Sequence, residues 1–192
     1  MRVLGVVGSL RPDSHNRTLL RAAANELPPG VELVVFEALK AVEPFDETDE
    51  HDAGGGMPGA DAFIAAIRDA DAVLFATPEY NGSIPGVLKN AIDWASRPTP
   101  ATSPLARKPV AVIGASTGSF GAVWAQAELR KALGLAGARV LDHELAVPTA
   151  HEAFTDDGRL LRGGPKRRLR EILADVVREV SGGSEAEAAR VA

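Results

Sequence analysis

VVGSLRPDSHNRTLL, residues 6–20, decides how the rest of the chain reads. An apolar run ends in a polar, proline-containing loop, and the loop opens into a helical pattern. The loop carries Ser9, Arg11, Ser14 and Asn16, and its only acid is Asp13. A buried strand thus delivers several anion-binding groups to one point.

The same strand-to-helix step recurs along the chain. Residues 2–7, 31–36, 72–76 and 109–114 are nearly continuous apolar runs, with a weaker one at 138–141. Such runs suit parallel strands covered on both faces. Helical spacing fills residues 16–27, 60–70, 87–96 and 123–135. A last helix is expected over 165–180, with Pro165 at its start and Leu169, Ile172, Leu173, Val176 and Val177 on one face. The alternation predicts an α/β fold, a doubly wound parallel sheet of five strands between two helical layers, as one domain over residues 1–180. Residues 37–56 hold seven acids, His51 and three glycines and read as a long acidic loop, functional or mobile. Residues 181–192 are polar and alanine-rich and are expected to be a disordered tail.

Composition narrows the function. Hydrophobic residues make up 45% and charged residues 24% of 192, a globular balance. The formal net charge of −5 argues against a nucleic-acid partner, and the basic PKRRLR stretch at 165–170 reads as solvated charge. The absence of cysteine excludes disulfides, thiolate metal sites and thiol catalysis, and suits a reducing cytoplasm. The first apolar run is too short for a signal peptide, and no run reaches membrane-spanning length. His15, His51, His143 and His151 show no ligand spacing, so no metal site is expected.

In open α/β sheets ligands bind beyond the carboxyl ends of the strands. Three loops there are rich in Gly, Ser, Thr and Asn: the first one, TPEYNGSIPG at 77–86, and ASTGSFG at 115–121. Ser9, Ser14, Asn16 and the N-terminus of the following helix offer donors, and Arg11 a planar fork, for a phosphate. Taken singly, Ser14 or Asn16 is a helix cap and Arg11 a surface charge; together in one loop they favour phosphate. Neither G-x-G-x-x-G nor G-x-x-x-x-G-K-[ST] is present, which points to a mononucleotide. Asn81-Gly82 reads as a turn pair that also lets a flat ligand approach, and Ser116, Thr117 and Gly118 would form the opposite wall.

GSLRPDSHNRTLL (8–20), TPEYNGSIPGVLKNAIDWASRP (77–98) and GASTGSFGAVWAQAELRKAL (114–133) resemble the NADPH-dependent FMN reductases, a group with a flavodoxin-like fold that includes quinone, azo-dye and chromate reductases. The resemblance runs over about residues 1–180. It implies that Ser9, Arg11, Ser14 and Asn16 hold the FMN phosphate. It further implies that Pro78, Glu79, Tyr80, Asn81 and Gly82 surround the ring and ribityl chain, and that Ser116, Thr117 and Gly118 line the second wall. Hydride would pass from NADPH or NADH through bound FMN to a small acceptor such as a flavin or quinone. No general acid or base is assigned; Glu79 is read as orienting its loop or meeting a neighbouring subunit. The family is typically dimeric or tetrameric. In this chain Val87, Leu88, Ala91, Ile92, Trp94 and Ala95 put ample apolar surface on the helix at 87–96, which predicts a homodimer or homotetramer; a fully buried crossover helix is the alternative.

Two other functions fit parts of the pattern. A flavodoxin-type electron carrier shares the fold but has no nicotinamide site. Gly114-Ala-Ser-Thr-Gly118 fits the G-x-S-x-G elbow of serine hydrolases, with Ser116 as nucleophile and Asp142, His143 or His151 following. The hydrolase reading leaves the Arg11 loop unexplained.

Overall fold

Strand β1 (Arg2–Val7) is buried along all but its first residue and takes an interior place in the sheet, next to an edge strand. The structure is a computed structural model and describes residues 1–49, 56–161 and 163–191. Strands β2 (Glu32–Phe36) and β3 (Ala72–Thr77) pair with β1 on opposite sides, and β4 (Pro109–Ala115) pairs with β3, all in parallel. The order β2-β1-β3-β4-β5 places the switch in winding direction between β1 and β3, where their carboxyl ends open a crevice.

The weak fifth strand expected at 138–141 is half of an interrupted edge. Strand β5 (Arg139–Val140) pairs with Pro109 and Val110, and β6 (Ala146–Val147) pairs with Gly114 and Ala115. Between them the polar residues 142–144 turn away from the sheet: Arg130 of helix α4 (Val123–Leu135) bonds the His143 carbonyl at 3.2 Å, and His143 meets Asp175. Buried Gln126 of α4 receives the Leu145 N–H in the gap.

Alternate strand residues feed two cores, as the period of two requires. Val3, Val7, Leu74, Ala76, Ala111 and Ile113 face helices α1 (His15–Ala24) and α5 (Gly164–Val191). Leu4, Val6, Val73, Phe75, Val110 and Val112 face α4 and helices α2 (Pro58–Arg68) and α3 (Gly86–Ala95). At Gly5 a Cβ would sit 3.0 Å from side-chain carbons of Leu20 in α1 and Leu33 in β2, so both leucines pack close over the strand there. No helix among the described residues is long and apolar enough to cross a membrane.

Three expectations need revision. Helix α5 passes the boundary expected at residue 180 and runs to Val191, because Ala and Glu beyond the glycine pair are strong helix formers. Helix α3 buries Leu88, Ala91, Ile92, Trp94 and Ala95 within the chain and leaves Val87 37% exposed, so most of its apolar surface packs as a crossover helix. The acidic segment is anchored as far as Glu47, whose carboxylate accepts from Arg97 at 3.1 Å. The Glu43 carbonyl accepts from Asn90 Nδ2 at 2.8 Å and Trp94 Nε1 at 2.9 Å, the Phe45 N–H donates to Asn90 Oδ1 at 2.7 Å, and the Phe45 ring stands edge-on to Trp94. His51 and the acids beside it lie outside the described residues.

Candidate active site

A cavity of about 150 Å³ opens beyond the carboxyl ends of β1, β3 and β4. Ser9, Arg11, Ser14 and Asn16 line it from the first loop, Pro78, Glu79 and Tyr80 from the second, and Ser116 and Thr117 from the third. Asn81, Gly82 and Gly118 lie in these loops but not on the wall. His15 and Ala115, which carry no signal in the sequence pattern, are on it.

The first loop is built to present donors. Ser14 is the N-cap of α1, and its Oγ accepts from the Asn16 N–H at 3.2 Å. Its hydroxyl proton remains available, so capping and ligand binding are compatible. Ser9 is buried, and its Oγ lies 3.4 Å from both the Tyr80 hydroxyl and the Arg11 N–H, the long end of hydrogen bonding. Two buried hydroxyls thus line the cavity without short bonds in which they donate to protein. The first turn of α1 holds no acid, leaving the positive end of its dipole uncompensated. Asn16 does something else. Its Nδ2 donates to the Ala115 carbonyl and its Oδ1 accepts from the Ala115 N–H, both at 2.9 Å. It staples the first loop to the end of β4 as a strand would.

The second loop ends in a two-residue hairpin. Tyr80 and Ser83 exchange main-chain hydrogen bonds of 3.0 and 3.1 Å, and Asn81 and Gly82 between them have φ of 54° and 74°. That is the left-handed turn for which Asn-Gly is suited. Glu79 Oε2 accepts from the N–H groups of Trp124 and Ala125 at 3.0 and 3.1 Å, capping α4 from another element. This is the loop-orienting role, and it leaves Glu79 committed.

The third loop depends on small residues. A Cβ at Gly114 would stand 2.8 Å from Gln126 Nε2, and one at Gly121 2.6 Å from the Val147 nitrogen. The first glycine of the G-x-S-x-G pattern therefore makes room for Gln126. Ser116 Oγ accepts from the Gly118 N–H at 3.1 Å, and among the described residues no histidine is bonded to it. His143 is engaged with Asp175 instead. These contacts overturn the hydrolase reading of Ser116.

A fourth loop, after β6, is hydrogen-bonded to the third. The N–H groups of Thr149 and Ala150 donate to the carbonyls of Gly118 and Ser116 at 3.2 and 3.0 Å. This places His151 near His15: burial, then Arg11, then His151 hold the His15 imidazole below its ordinary pKa. Only the fold could reveal that pairing, since the two histidines lie far apart in sequence.

The donor set suits a phosphate monoester. A cavity of about 150 Å³ is large enough for a phosphate group. Over residues 1–152 the chain matches the family described as NADPH-dependent FMN reductase. It is 43% identical over 174 residues to an NAD(P)H-dependent FMN reductase of Pseudomonas aeruginosa, covering 90% of this chain and 91% of that one. It is 39% identical over 182 residues to a probable NADPH:quinone oxidoreductase of Oryza sativa, covering 90% and 88%. The flavoenzyme NAD(P)H:(acceptor) oxidoreductase of Paracoccus denitrificans superposes with a TM-score of 0.82 at 32% identity, covering 94% of this chain and 97% of that one. With the flavodoxin-like strand order and a phosphate-sized cavity at its switch point, these matches establish that the chain belongs to the NADPH-dependent FMN reductase family.

Proposed function

We propose that the protein is an NAD(P)H-dependent FMN oxidoreductase that passes electrons to a small acceptor such as a quinone or flavin. The observation that carries the reading is the pair of buried hydroxyls, Ser9 and Ser14, lining one cavity at the N-terminus of α1 beside Arg11. FMN supplies two-electron exchange when bound. The chain's own part is positioning. Ser9, Ser14, Arg11 and the first-turn N–H groups of α1 hold the phosphate. Asn16 fixes that loop against β4, and Glu79 fixes the Tyr80 hairpin against α4. Glu79 is occupied with two N–H groups, so no proton transfer is assigned to it.

The working form is a homodimer or homotetramer in the cytoplasm, without nucleic-acid or membrane partners. Exposed Phe120, Trp124 and Leu135, with Val87 of α3, supply the apolar surface for it. Flavin extracted from the purified protein should chromatograph as FMN, and NADPH or NADH should reduce it with no partner reductase present. FAD as the extracted flavin would overturn the cofactor assignment. Reduction only through a partner reductase would mark an electron carrier.

A further inference from the structure

The wall that carries Ser116 and Thr117 is held from behind by the chain after β6. The Ser116 N–H donates to the Val147 carbonyl at 3.0 Å, and the N–H groups of Thr149 and Ala150 return to the carbonyls of Gly118 and Ser116 at 3.2 and 3.0 Å. Gly121, at the far end of the same loop, lies so close that a Cβ there would stand 2.6 Å from the Val147 nitrogen. Thr149 and Ala150 thus turn two consecutive N–H groups onto one loop. In extended chain such groups point to opposite sides, and bringing them to one side takes a left-handed residue between them. Thr149 supplies it, with φ of 42°. That value is costly for a β-branched residue, which keeps it only where the surroundings impose it. The Thr149 side chain is exposed and its hydroxyl makes no hydrogen bond among the described residues, so no side-chain bond accounts for the conformation. Thr117 lines the cavity between the two gripped carbonyls, and its N–H has no protein partner among the described residues.

We propose that Thr149 is a positioning residue for this wall: its left-handed backbone directs two N–H groups onto the third loop and so holds Ser116 and Thr117 at the cavity. Thr149 acts through its main chain and not through its side chain. This rests on the reading of the cavity as a flavin site. If the grip favours the bound flavin, the bound flavin must tighten the grip by the same factor.

Fluorescence titrations of FMN and riboflavin into flavin-free wild type, Thr149→Gly, Thr149→Val and Thr149→Pro test it, with thermal melts and amide hydrogen exchange alongside. Glycine takes a positive φ freely, so Thr149→Gly should melt above wild type and bind both flavins within about twofold of it. Thr149→Val keeps the branch, lacks the hydroxyl and should match wild type. Proline has no N–H and a φ near about −65°, so Thr149→Pro should bind both flavins roughly tenfold more weakly, as expected for one lost hydrogen bond. The midpoint potential of the FMN it still binds should fall, because a loosened wall offers the reduced ring fewer donors; a residue needed only for folding would leave that potential alone. In wild type, exchange of the Thr149 and Ala150 amides should slow about tenfold on saturation with riboflavin, a result that needs no variant to fold. Flavin binding lost as severely in Thr149→Gly or Thr149→Val as in Thr149→Pro would overturn the main-chain role. So would a Thr149→Gly protein that melts below wild type, a Thr149→Pro protein that binds as wild type does, or amide exchange that riboflavin leaves unchanged. Wild type that binds neither flavin would instead overturn the flavin site on which the role rests.

Discussion

Arg11 and Glu79 line one cavity but do different work, and flavin binding separates them. Arg11 is exposed, makes one long bond to a main-chain carbonyl and contributes little packing. A hydrogen bond to a charged group contributes about 1.5–3 kcal/mol. Arg11→Ala should therefore weaken FMN about ten- to a hundred-fold, with riboflavin nearly unchanged, as titration of both flavins would read directly. Glu79→Ala removes the acceptor for two N–H groups of α4 and frees the Tyr80 loop. It should cost about 1 kcal/mol of stability in denaturant melts and weaken FMN and riboflavin alike. Equal effects of the two substitutions on the two flavins would contradict this division. The residue types were legible in the sequence; the commitment of Asn16 to Ala115 and of Glu79 to α4 was not, because each depends on a partner distant in the chain.

Helix α2 shows how an element's ends are held. Its N-cap residue, Met57, has no capping side chain, and Glu43 takes that place from the preceding segment, accepting from the Gly59 and Ala60 N–H groups at 3.1 and 3.0 Å. Burial alone would raise the Glu43 pKa, but the main-chain donors prevail and hold it below the ordinary 4.5. A carboxylate with a depressed folded pKa contributes stability above its unfolded value and loses it as pH falls through the folded one. Glu43→Gln should thus cost about 1 kcal/mol near neutral pH, with a smaller difference from wild type below the lowered Glu43 value. Urea melts at pH 7 and pH 3 would measure both; a difference independent of pH would show that the charge is irrelevant. The same helix demands glycine at position 59, where a Cβ would lie 2.0 Å from the Ala41 carbonyl oxygen. Periodicity located α2, but the acidic segment in front of it looked like free loop because its anchors, Asn90 and Trp94, lie in α3.

At the scale of the whole molecule, three of the exposed large apolar side chains among the described residues lie on or beside α4. Phe120 and Trp124 are 62% and 50% exposed with ring centroids 4.9 Å apart, and Leu135 is 71% exposed. Beside them a cleft of about 540 Å³ between α3 and α4 carries Lys89 and Lys131 together with Asp93 and Glu128. Both signs of charge on one patch suit a two-fold contact, in which a surface must complement itself. Light scattering at micromolar concentration should give at least twice the 20.1 kDa chain mass, and Trp124→Glu should shift the population towards monomer. A wild-type protein at the single-chain mass would remove the oligomer from the reading.

The order of elements, the parallel sheet and the three loops that meet at its carboxyl edge were written in local patterns: apolar runs, helical spacing and clusters of small polar residues. Those signals are local because each strand and helix must bury its own side chains. The halved edge strand, the anchored acidic segment, the burial of α3 within one subunit and the company kept by His15 were decided only when the chain closed on itself. Each depends on which surfaces meet, and the energy of a contact such as Asn16 with Ala115 exists only once distant segments share a site.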